Sequence, residues 1–200
     1  MLKKVLRIAI FPFLVLLVAF NINSAQKKVV VINASHGGVD WGITYDSINE
    51  KELVLNISQY LSSINDAHIK FVGIRNTDDY ISLNDRISKV DSIHPDLVIT
   101  LHVAQDLDIR KSGVVVSVGK NNESDTSKQY GNKILNGFKS QKFGVNDSIT
   151  TADTYFMNNV KEIPSVLIEL GYLSNEKDRK ALINSTTKEQ IAKAITAALQ

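Results

Sequence analysis

Three ionisable residues stand where apolar strands should carry none. His36 follows Val29-Val30-Val31-Ile32 and precedes Gly37-Gly38, and His102 closes Leu97-Val98-Ile99-Thr100-Leu101. Glu169 lies inside Val166-Leu167-Ile168-Glu169-Leu170. Burying an unpaired carboxylate costs several kcal/mol, so Glu169 must be paired, protonated or placed beside a metal. A buried ion pair with an Arg or Lys accounts for it as well as a functional site does. His36 and His102, each taken alone, read as hydrogen-bonded residues after a strand as readily as ligands. Glu50, just inside a helix start after Asn49, is explained by the helix dipole. Together, two imidazoles and a carboxylate form a set seen in catalytic zinc sites, with the fourth position left to water. The same donors also suit iron or manganese. Zinc lowers the pKa of water to about 7, and a further Glu nearby could take the proton and deliver it to a leaving amine. His68 and His94 fall in predicted loops beside polar neighbours and read as surface residues.

The elements that must position these residues follow from periodicity. Residues 28–34, 69–74, 97–101, 113–118 and 165–170 are short apolar, largely β-branched runs that predict buried strands. Residues 154–157 predict one more strand. The segment 35–47 carries three glycines and reads as a loop. Asn49 opens a helix whose Leu53, Ile57, Tyr60, Leu61 and Ile64 share a stripe. Ser82 and Asp85 stand at capping-box spacing for a short helix through Val90, and a helix covers 127–138. Asn175 and Thr186 are expected to cap two final helices. Strands apolar on both faces and alternating with helices indicate an α/β chain, a single three-layer domain around a central, mostly parallel sheet. In such sheets ligands gather beyond the carboxyl ends of the strands, where His36, His102 and Glu169 are delivered.

Composition narrows the class. The 200 residues are 44% hydrophobic and 22% charged, the balance of an ordinary folded domain. The formal charge of +2 comes from 23 bases and 21 acids. Lys3, Lys4 and Arg7 supply three of the bases in the first 25 residues, leaving a near-neutral body that gives no electrostatic reason for a nucleic-acid partner. With no cysteine, disulfides, thiol catalysis and iron–sulfur clusters are excluded. The basic start, an apolar stretch from Ile8 to Phe20 and the small Ala25 predict a signal peptide over 1–25. The apolar stretch is shorter than the roughly 20 residues of a membrane span. A domain over 26–200 is then expected to work outside the cytoplasm, in the periplasm or cell-wall space, with no stable membrane span. An uncleaved, shallow anchor is the other reading of 1–25.

These motifs, in order, resemble the zinc-dependent N-acetylmuramoyl-L-alanine amidases of bacterial cell walls, from about Lys28 to the carboxyl end. The resemblance rests on Val31-Ile32-Asn33-Ala34-Ser35-His36-Gly37-Gly38 with Asp40 and Gly42, and on Glu50-Lys51 at a helix start. Arg75, Asp78, Leu83 and Arg86, then Thr100-Leu101-His102, continue it. It closes on the run from Ile163-Pro164 through Glu169-Leu170-Gly171-Tyr172 to Ser174-Asn175. The resemblance implies that His36, Glu50 and His102 bind zinc and that Glu169 is the catalytic acid/base. It implies peptidoglycan as substrate, cut at the amide between the lactyl group of N-acetylmuramic acid and L-alanine.

Three positions depart from the family pattern: Asn33 where Asp is usual, Ser35 where Gly is usual, and Val103-Ala104 where Ala-Asn is frequent. They motivate a competing reading, a degenerate domain that binds peptidoglycan or regulates a hydrolase without cutting. A zinc peptidase acting within the stem peptide is a third. Some family members insert a helix between the second histidine and the last glutamate that blocks the zinc. Here that stretch has little room for one, so an open site is expected.

Overall fold

A computed structural model describes residues 26–120, 124–160 and 162–200, so the expected signal peptide lies outside the described residues. In chain order the elements are β1 (Lys28–Ala34), β2 (Thr44–Tyr45), β3 (Ile48–Asn49), α1 (Glu50–Ser63), β4 (Ile69–Gly73), α2 (Leu83–Ile93) and β5 (Leu97–Ala104). There follow β6 (Val115–Gly119), α3 (Asp125–Ser140), β7 (Thr150–Ala152), α4 (Tyr155–Asn159), β8 (Ser165–Tyr172), α5 (Glu176–Leu182) and α6 (Ser185–Leu199). The apolar runs assemble into a six-stranded sheet of order β4-β1-β5-β8-β6-β7. β4, β1, β5 and β8 are parallel, and β6 runs against β8. β7 pairs parallel with β6 at the edge. The fold is α/β and mostly parallel.

Strand alternation divides the core in two. Val30, Ile32, Leu97, Ile99, Leu101, Val166 and Ile168 face the larger layer, against Val54, Ile57 and Leu61 of α1, Ile134 and Phe138 of α3, and Ile191 and Ile195 of α6. Val31, Val98 and Leu167 face the other way, against Val90 of α2 and Phe156, Met157 and Val160 around α4. This second layer is short. Along its face, side chains turn polar toward the carboxyl ends of the strands: Val31 gives way to Asn33, Val98 to Thr100 and His102, Leu167 to Glu169. Two helices cover the apolar part of that face and leave the polar part for the site.

Caps fix where the helices begin. The Asn49 side chain accepts the Glu52 N–H at 3.1 Å, and Ser82 accepts the Asp85 N–H at 3.2 Å, as the sequence led us to expect. Two expectations need correction. Residues 154–157 are not a strand, because the Thr154 hydroxyl accepts the Met157 N–H and starts α4, which buries Phe156 and Met157 against the sheet. The strand in that region is β7, in what read as polar loop. The last helix is capped by Asn184, whose side chain accepts the Thr186 N–H, and not by Thr186. The 35–47 loop ends in a small hairpin, β2 with β3, that leads directly into α1.

Candidate active site

His36, Glu50 and His102 come from three elements: the end of β1, the first residue of α1, and β5. Their ligand atoms all lie within 4.8 Å of one another. His36 Nε2 is 3.2 Å from Glu50 Oε2, and His102 Nδ1 is 2.7 Å from Glu50 Oε1. The two imidazole rings stand edge to face, 5.3 Å between centroids. Glu50 is 1% exposed, while the His36 and His102 side chains keep 23% and 31% of their surface open. Burial alone would raise the Glu50 pKa, but the hydrogen bonds from His102 and His36 outweigh it and hold the carboxyl well below the usual range. Backbone N–H groups of Ile43 and Val103 also donate to Glu50, at 2.9 and 3.1 Å. Two imidazole nitrogens and a buried carboxylate turned toward one point are the donor set that suits a zinc ion with a coordination position left open.

Around the triad the chain is braced rather than free. The backbone of His36 is left-handed, φ 59°, an uncommon state for a residue other than glycine and one that clusters at functional sites. Arg86 holds it there: Nη2 donates to the His36 carbonyl at 2.5 Å, and Nη1 to Ala34 O and Asn33 Oδ1, both at 2.7 Å. Arg75 donates to the carbonyls of Ala34, Ser35 and Lys51 at 2.7 to 3.0 Å. Burial lowers both guanidinium pKa values, Arg86 to about 10. Asp40 accepts a hydrogen bond from, or gives ionic support to, His36 Nδ1 at 2.9 Å, which turns Nε2 toward Glu50. Gly42 packs so closely that a Cβ there would sit 2.6 Å from both Glu50 Oε2 and His36 Cδ2, and its φ is +65°.

Glu169 stands beside the triad because β8 pairs with β5 in register, His102 opposite Glu169. Burial raises its pKa, the Glu50 charge adds to that, and His102 works the other way. His36, Glu50, His102 and Glu169 together line one open cleft of about 640 Å³. A more enclosed cavity of about 390 Å³ adjoins it on the α2–α4 side and shares His36, His102 and Thr154 with it. Between β5 and β8 the chain folds into β6, α3, β7 and α4. Of these, α3 packs on α6 and β6, and α4 packs on α2. The two imidazoles are partly exposed.

The family model for N-acetylmuramoyl-L-alanine amidase matches residues 30–200. The chain belongs to that family. Membership makes it an enzyme of the amidase class. Among curated relatives it is 26% identical to the uncharacterized protein YqiI of Bacillus subtilis, over 85% of this chain and 82% of that one. It is 24% identical to the N-acetylmuramoyl-L-alanine amidase LytC of Bacillus subtilis, over 86% of this chain but only 35% of LytC. The CwlD amidase of Clostridioides difficile, solved in complex with the GerS lipoprotein, superposes with TM-score 0.77 at 26% identity, covering 87% of this chain and 97% of CwlD. The catalytic domain of the amidase CwlV from Bacillus (Paenibacillus) polymyxa var. colistinus shares the fold, with TM-score 0.76 at 23% identity over 86% of this chain and 96% of that domain.

Set against the amidase pattern, the three departures are local. The Asn33 side chain accepts from Arg86, and its amide lies 3.4 Å from Thr100 Oγ1. Ser35 is not the left-handed residue, which is His36, so a serine fits there; its hydroxyl donates to Leu101 O at 2.6 Å and lies 3.4 Å from Glu50 Oε1. Val103 reaches Glu50 through its backbone N–H, which any side chain except proline leaves intact. Sequence reasoning missed the bracing roles of Asp40, Arg75 and Arg86. Asp40 sits four residues after His36, a spacing that could have singled it out. The arginines were marked only by the family resemblance, because their acceptors are main-chain carbonyls and the Asn33 amide oxygen. His68 and His94 are exposed, as expected.

Proposed function

We propose that this chain is a zinc hydrolase that cuts peptidoglycan at the amide joining the lactyl group of N-acetylmuramic acid to L-alanine of the stem peptide. His36, Glu50 and His102 hold the metal, and Glu169 is the catalytic acid/base. The observation that carries the reading is a second carboxylate, Glu169, opposite His102 across one strand pairing, in the same cleft as a triad of metal-ligand type. A bound zinc ion supplies Lewis acidity toward the scissile carbonyl and acidifies water beside it. Asp40 keeps His36 Nδ1 occupied, so that Nε2 faces the metal position. Glu169 accepts the proton of the attacking water and returns it to the departing alanine nitrogen. Its raised pKa brings it closer to neutrality, which suits both halves of that transfer.

The changes at 33, 35 and 104 alter none of the four side chains, which supports a cleaving enzyme over a non-cleaving binder. No helix among the described residues is long and apolar enough to cross a membrane. Action on the wall places the chain outside the cytoplasm. Digestion of peptidoglycan with added zinc, followed by mass analysis of the fragments, tests the reading. Free stem peptides beginning with L-alanine, absent when a chelator is added, are expected. Fragments cut within the stem peptide would replace the amidase with a peptidase, and a zinc-loaded protein that releases nothing would favour the binder.

A further inference from the structure

Trp41 is the single tryptophan of the chain, and it lies on the rim of the site with 53% of its surface exposed. Its neighbours in sequence explain why it is there. Asp40 lines the enclosed cavity and braces His36, while Gly42 lines the open cleft against Glu50. The side chain between them lines neither and is half exposed. Exposing a large aromatic costs hydrophobic stabilisation, and a loose ring would also gain entropy, yet this ring is held.

The hold comes from Lys51. Its ammonium is 4.2 Å from the centre of the Trp41 ring, and the lysine is itself buried. The same ammonium donates to Gly38 O and to Asp78 Oδ2, each at 2.7 Å. Asp78 in turn accepts the Gly38 N–H at 3.0 Å. The Lys51 N–H reaches the Trp41 carbonyl at 3.3 Å, so main chain and ring are both tied to the start of α1. A buried cation therefore covers the inner face of the indole and leaves the outer face bare. Val39 and Tyr80 are exposed on the neighbouring loops, and the Tyr80 backbone packs against Gly38.

We infer that the outer face of Trp41 is a sugar-stacking platform that seats the glycan strand of peptidoglycan beyond the reacting amide. Resting on the substrate reading above, the argument for glycan over stem peptide is one of shape and reach. The stem is short and threadlike and suits the enclosed cavity beside the triad. The glycan is a ribbon whose pyranose rings present flat C–H faces, and it extends past the cleft on both sides. A rigid, half-exposed aromatic that lines neither cavity can meet only the part of the substrate that continues outside them.

The test uses the ring as its own reporter, since no other tryptophan contributes emission. The full protein is titrated with a peptide-free oligomer of alternating N-acetylglucosamine and N-acetylmuramic acid, which contains no scissile amide. A saturable change in tryptophan emission is expected, with no comparable change on adding stem peptide at equal concentration. In a parallel assay, Trp41→Ala should raise KM on polymeric peptidoglycan roughly 3- to 10-fold with kcat nearly unchanged, and Trp41→Phe should restore most of the loss. Emission that ignores the glycan oligomer, or responds equally to stem peptide, overturns the platform even if the amidase reaction proceeds. Because the oligomer is not a substrate, a positive titration stands even if the enzyme proves to cut elsewhere.

Discussion

At Glu169 burial and function pull against each other. The carboxylate sits in an otherwise apolar strand, and burial pushes its pKa up against the opposing pull of His102. A raised folded-state pKa means the fold binds that proton more tightly than the unfolded chain does. The associated stability is complete below the ordinary glutamate range and is lost as pH rises through the higher folded value. Whenever it is ionised, Glu169 is therefore a liability that the fold carries for its chemistry. Glu169→Gln is expected to lower turnover by roughly 10²- to 10⁴-fold while leaving metal binding intact. In metal-free protein the same variant should melt higher than the parent at pH 7, with the gap closing toward pH 4. A melting temperature that falls at pH 7 would contradict this assignment of strain. That oddity was legible in the sequence, because a carboxylate amid Val, Leu and Ile stands out whatever the fold. Its neighbours were not legible: only the β5–β8 register places His102 beside it.

Among the elements, the turn after β1 is the one most dependent on distant support. Arg75 and Arg86 supply it, and the hydrogen bonds they make end on carbonyls and on the Asn33 amide oxygen. Replacing Arg86 with Met keeps apolar volume but strands the carbonyls of His36 and Ile81 and the Asn33 amide oxygen, while Ala34 O keeps its bond from Arg75 Nε. The expected cost is about 1–3 kcal/mol in chemical denaturation, accompanied by weaker metal affinity as His36 loses its left-handed anchor. A variant as stable as the parent would show that the turn holds itself. The helices whose starts carry Asn49 and Ser82 were readable because each cap is a local bond between residues three apart. α4 and β7 were not, because a three-residue strand and a five-residue helix are too short for periodicity to separate. Thr154 decided between them through its hydroxyl, a choice that rests on which side the second core lies.

Over the whole molecule, the parallel strands β1, β5 and β8 lie side by side, so the ends of three apolar runs far apart in sequence arrive at one edge. The apolar runs implied that convergence only in general terms, as any doubly covered sheet gathers ligands at its carboxyl edge. Which residues meet there depended on the strand order β4-β1-β5-β8-β6-β7. The small second layer leaves the polar edge of the sheet to the cleft in which the imidazoles are partly exposed.

Zinc content is the measurement that bears most directly on the account. Protein purified with zinc and dialysed should retain one ion per chain. His36→Ala, Glu50→Ala and His102→Ala should each lose it while keeping the circular dichroism of the parent, and Glu169→Gln should keep it. If all three alanine variants retained the ion, the metal would be held elsewhere and the proposed centre would be wrong.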